Sequence, residues 1–200
     1  MTSALVLLDL QKGILLSDRI QFEDPATPGD VLAVADRLRG VARGAGLLVI
    51  QVGVVRPRAH GAFDVLRTAN AIKAARAPRE ITPLAVGSDD VAFALTPGSD
   101  EEVVYKIGVS AFQGTRLDTL LRNAGVQNVV VAGAFTHMAV ESTVRQGFDL
   151  GYRMTVVEDA CCAPTLASHT GALAGGIPNF AVVIKSSEAI ALIQRDWRGA

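Results

Sequence analysis

Cysteine is almost missing from this chain: Cys161 and Cys162 are the only two, and they are adjacent. Neither a disulfide framework nor a four-ligand zinc site can be built from such a pair. Their plain reading is two small buried hydrophobes after a strand. Net charge is also nearly absent, since 19 basic residues face 20 acidic ones. That leaves no electrostatic footprint for nucleic acid or for an anionic membrane. No apolar run approaches the roughly 20 residues of a membrane span. The opening MTSALVLLDLQKG has no basic segment before its apolar run, which passes straight into Asp9 and Gln11. It is therefore not read as a signal peptide, and a cytoplasmic location is expected. Repeats, low-complexity tracts and linkers are lacking too. Residues 1–200 read as one domain with a full hydrophobic core, half of the residues being apolar and a fifth charged.

What is present alternates. Strands are predicted at Ala4–Leu10, Leu47–Val55, Glu102–Lys106, Asn128–Ala132, Arg153–Val157 and Phe180–Ile184. Helices are predicted at Val31–Arg43 with Asp30 as N-cap, Phe63–Arg76, Thr115–Asn123 with Thr115 as N-cap, Met138–Leu150, Leu166–Ala174 and Ser187–Gln194. The strands do not alternate polar with apolar residues, so both faces are covered. The fold class is α/β: a three-layer α/β/α domain with a mainly parallel six-stranded sheet. Residues 56–100 form a long irregular excursion, and such stretches usually cover a site or carry function.

Chemistry gathers at the carboxyl ends of strands, where open α/β sheets place ligands. Asp9 ends the first strand and Lys106 the third. The fourth runs into a tight turn at Gly133, with Thr136 as N-cap and position 139 just inside the following helix. A carboxylate and an ammonium brought together there perturb each other's protonation. Either could instead form a structural ion pair.

These residues carry a family resemblance. LVLLDLQKG (Leu5–Gly13), VVYKIGVSAFQGTRLDTLL (Val103–Leu121) and VVVAGAFTHMAVESTVRQGFDLGYRMTVVEDAC (Val129–Cys161) resemble the isochorismatase-like, or cysteine hydrolase, superfamily. The resemblance implies a small-molecule hydrolase, most often cleaving amide or ureide C–N bonds. Asp9 would be its acid/base and Lys106 the charged partner of that acid. The backbone N–H groups of Phe135 and Ala139 would donate to an oxyanion, beside a cis peptide at Ala134–Phe135. By position, Gln11, Arg56, Phe112, Thr136 and His137 are expected to meet substrate or line the pocket, with Gln11 also read as orienting Asp9 or its loop and Phe112 equally as a core residue. No cofactor is expected. The VGVVRPRAHG stretch lacks the Asp-x-His pair of metal-binding members, so no metal is expected at His60. A homodimer or homotetramer is expected.

The family's nucleophilic cysteine falls on Ala139, and alanine cannot attack a carbonyl. Three readings stay open. The residue could be an engineered replacement in an amide hydrolase. The protein could be a thiol-independent member, in which Asp9 protonates a vinyl ether and His137 precedes a small residue. It could also be a non-catalytic ligand binder. Cys161 and Cys162 follow a different strand and are not read as substitutes. His169 is read as structural, as are Glu158 and Asp159 at a strand end. Arg58 and His60 read as a solvated loop.

Overall fold

A computed structural model describes residues 2–18, 20–22, 27–56 and 84–195. Six strands form one sheet: β1 (Thr2–Leu8), β2 (Leu48–Val54), β3 (Glu102–Lys106), β4 (Val126–Ala134), β5 (Arg153–Cys162) and β6 (Ala181–Ile184). Their order is β3-β2-β1-β4-β5-β6, and every pairing is parallel. The order reverses between β1 and β4. At such a switch point the connections leave toward opposite faces and a crevice opens above the strand ends. The predicted helix at Phe63–Arg76, together with Arg58 and His60, lies outside the described residues.

Side chains of β1 alternate between two cores. Leu5 and Leu7 pack with Leu38 and Val130 against α2 (Pro28–Gly44) and α6 (Ser186–Gln194). Ala4, Val6 and Leu8 point the other way. There they meet Ile50, Val131, Leu117 and Leu121 of α3 (Leu117–Asn123), and Val144 of α4 (Glu141–Asp149). The short helices α1 (Lys12–Leu15) and α5 (Leu166–Gly171) sit near the carboxyl edge of the sheet. Among the described residues, no helix is long and apolar enough to cross a membrane.

Several boundaries differ from the sequence reading for identifiable reasons. β1 stops at Leu8, so Asp9 lies just past the strand with φ 56°. α2 begins three residues early. Thr27, not Asp30, is its N-cap and accepts from the Asp30 N–H at 3.3 Å, and Pro28 takes the first helical position. Thr27→Ala should therefore lower stability by about 1 kcal/mol in urea unfolding; no change would deny the cap a role. α3 begins at Leu117, although Thr115 Oγ1 still accepts from the Leu117 N–H at 3.1 Å.

β5 runs on to Cys162 through an irregularity. β4 advances from Val131 to Gly133 while β5 advances from Val156 to Cys161. Glu158 and Asp159 are the reason it reads short, because adjacent charges look like a strand end. Glu158 pairs with Lys185 at 2.5 Å, and Asp159 accepts from the Ser186 N–H at 2.7 Å and from its hydroxyl at 2.6 Å. The cysteines thus lie on β5, both buried, opposite Gly133 and Ala134.

Candidate active site

The switch point brings the end of β1 beside the end of β4. Leu8 pairs with Gly133 in the register, so Asp9, just past β1, comes out beside the end of β4. Gly133 has φ +138°, and a Cβ there would overlap the Leu8 carbonyl oxygen and lie 2.7 Å from the Leu8 nitrogen. Only glycine permits this approach.

Lys106 closes β3, two strands away across roughly 10 Å of sheet. Its long side chain crosses the end of β2. Nζ donates to Asp9 Oδ2 at 2.8 Å and to the Val109 carbonyl at 2.7 Å. Each side chain is at most 3% exposed. Asp9 is held by its own N–H, which donates to the Val52 carbonyl at 2.7 Å. Its other oxygen, Oδ1, is buried and meets no donor among the described residues. The nearby Val54 N–H is committed to Gln11 Oε1 at 2.8 Å. Burial pushes the Asp9 carboxyl above its ordinary value, and the Lys106 charge and hydrogen bond, with a weaker pull from the Val54 N–H that Gln11 also takes, only partly oppose this. The outcome is a carboxyl that holds a proton more readily than a solvated one.

Beyond β4 the chain turns sharply. Phe135 is left-handed (φ 60°, ψ 62°), and Thr136–Val140 forms a widened π turn before α4. The sequence reading had Thr136 as a helix cap. Instead the Phe135 carbonyl accepts from Met138 and Val140, and the Thr136 hydroxyl lies 2.8 Å from His169 Nδ1 on α5. Such π turns are frequent at functional sites. Ala139 sits in this turn at 2% exposure. His137 is half-buried on the same turn, and Met138 is exposed. The Phe135 N–H hydrogen-bonds the Cys162 sulfur, a weak acceptor with which any ligand oxygen would compete. Burial pushes the Cys162 thiol up to about 12, and Cys161 is also raised chiefly by burial, so both stay protonated near neutrality.

Other predicted residues have scaffold contacts. Gln11 is fully buried. Both hydrogens of its amide are used, on the Val54 carbonyl at 3.0 Å and the Val91 carbonyl at 2.8 Å, so it clamps β1 to β2 and to the 89–91 turn. Phe112 stacks on Tyr152 with centroids 5.7 Å apart, within the core. Arg56 bridges Ala85 through its backbone. The sequence offered no local signal for Thr143, whose buried hydroxyl accepts from the Ala111 N–H at 2.9 Å and ties the SAF segment to α4. Among the described residues, no three His, Cys, Asp or Glu side chains converge as a metal site.

A model of the isochorismatase domain matches residues 3–188. The chain belongs to the isochorismatase family, a family of hydrolases. The uncharacterized isochorismatase family protein YecD of Escherichia coli O157:H7 is 31% identical over 192 residues, covering 94% of this chain and 95% of that protein. Ureidoacrylate amidohydrolase RutB of Pseudomonas syringae pv. syringae is 33% identical over 172 residues, covering 79% and 69%. Among solved structures, an isochorismatase family protein from Burkholderia thailandensis superposes with a TM-score of 0.79 at 30% identity, over 96% of each chain. The all-parallel sheet with helices on both sides matches that neighbour, as the sequence reading expected.

Proposed function

We propose that the crevice at the β1/β4 switch point is built to cleave the C–N bond of a small amide or ureide with a cysteine at position 139, the nucleophile that Ala139 replaces in this chain. The observation that carries this is the buried Asp9–Lys106 ion pair at the carboxyl end of β1. The similarity to ureidoacrylate amidohydrolases supports the bond class. In this reading position 139 presents the nucleophile. A thiol there would lose its proton to Asp9 and attack the carbonyl. The backbone N–H groups of Phe135 and Ala139 would steady the oxyanion, and Asp9 would return the proton to the departing nitrogen. Water would then release the acyl group. Lys106 keeps the carboxylate available by opposing its desolvation. Ala139 closes the covalent step in this chain, which leaves binding and proton handling.

Ala139→Cys tests the reading. With a panel of short amides and ureides, the variant should acquire an acyl or carbamoyl mass increment on the position-139 peptide and release ammonia or amine. The parent should do neither. A variant that folds normally yet stays inert to the whole panel would sink the proposal.

One observation favours a second reading. A carboxyl raised by burial is suited to donate a proton, and a small residue at 139 leaves room for a substrate carbon. Vinyl-ether hydrolysis by the parent chain, lost in Asp9→Asn, would select this thiol-independent route.

A further inference from the structure

We infer that His169 is the positioning residue of the turn that presents position 139, acting through the hydroxyl of Thr136. Calling that turn nucleophile-bearing rests on the proposed function; the clamp itself rests on geometry. Thr136 is the first residue of the π turn and is completely buried. Its hydroxyl has no access to water, so a protein partner must satisfy it. The partner is His169 Nδ1, at 2.8 Å and 33 residues away in sequence. The histidine is itself fixed, because α5 is capped by Thr165, whose hydroxyl accepts from the Ser168 N–H at 3.1 Å. His169 therefore joins α5 to the first residue of the turn, whose far end is held by the burial of Val140 in the core.

The imidazole borders a cavity of about 620 Å³, shared with Glu158, Lys185, Asp159, Asp30 and Cys161. Glu158, on β5, favours a charged ring, and Lys185, just past β6, opposes it. These two neutralise one another as an ion pair, Asp159 is spent on Ser186, and Asp30 contacts Thr27. Burial dominates and lowers the His169 pKa. In this inference the neutral ring takes the tautomer whose Nδ1 accepts, so the Thr136 hydroxyl donates to it. On protonation Nδ1 becomes a donor. The hydrogen of the fully buried Thr136 hydroxyl must then turn to another acceptor, and the turn loosens. Acid should therefore unsettle position 139 as His169 charges, separately from any titration of Asp9.

The test uses alkylation, which needs no substrate. In the Ala139→Cys background, iodoacetamide labelling at position 139 is followed by peptide mass spectrometry across pH. Cys161 and Cys162 act as buried internal controls. Adding His169→Ala or Thr136→Val should each change the labelling rate by roughly tenfold. The double substitution should do no more than either alone, because both cut one link. His169→Asn, which can place an amide atom near the Nδ1 position, and Thr136→Ser should restore the rate to within about twofold. Labelling by His169→Ala at the parent rate and pH profile would overturn the proposal. A second measurement keeps Ala139. In the ¹⁵N spectrum of labelled histidine, Thr136→Val should shift the His169 tautomer balance and titration midpoint. An unchanged spectrum would equally overturn it. If both couplings appear while the Ala139→Cys variant cleaves no amide, the clamp stands and the hydrolytic reading falls.

Discussion

Lys106→Met should destabilise the protein by about 3–5 kcal/mol near neutral pH, because it strands an ionised carboxylate in the interior. The loss should shrink as the solution is acidified. Asp9 is buried, and its pKa already lies above the ordinary 3.8 despite Lys106. Without the ammonium, the Coulomb and hydrogen-bond contributions of Lys106 disappear and only the weaker Val54 contribution still lowers it, so it rises further. In the pH range above 3.8, the unfolded chain has released this proton while the folded variant still holds it. The native state then binds more protons, and stability falls as pH rises, by up to about 1.4 kcal/mol per pH unit until the folded carboxyl itself ionises. Urea midpoints for parent and variant at pH 5 and pH 8 check this. The gap should be wider at pH 8, and an equal or wider gap at pH 5 would contradict the assignment. Pairing the change with Asp9→Asn should recover much of the loss, since no lone charge remains.

Gly133→Ala should cost about 4 kcal/mol or more, at the upper end of single substitutions. Two penalties coincide. The backbone sits at φ +138°, where an L side chain is strained by roughly 1–3 kcal/mol. The added methyl also meets backbone atoms of Leu8, not a flexible side-chain tip. Relief requires β1 and β4, the two central strands, to move apart, and packed interiors resist such shifts. Chemical denaturation should show the loss. A variant within about 1 kcal/mol of the parent would mean that the strands can separate locally, against the close approach described above.

Much of this was legible from the chain because it depends on short-range pattern. Glu102–Lys106 is legible to the residue, since a β-branched run ends in a charge, and the parallel alternation alone puts Asp9 and Lys106 at strand ends that face one crevice. The pieces that escaped depend on partners far apart in sequence or on backbone angles. Nothing near His169 announces a bond to Thr136, and nothing near Gln11 shows that its amide will be taken by Val54 and Val91. The left-handed Phe135 was hidden because a bulky aromatic is a poor advertisement for positive φ. The cap at Thr27 was missed although Pro28 marks the first helical position, a signal the sequence does carry.

The π turn has a consequence for how such a scaffold can be inherited. Its shape is set by Gly133 behind it, by the Phe135 carbonyl within it and by Thr136 against His169, and none of these contacts uses the side chain at 139. That side chain is a passenger of the backbone. A change of that single small residue can therefore leave the strands, the turn and the Asp9–Lys106 pair as they are.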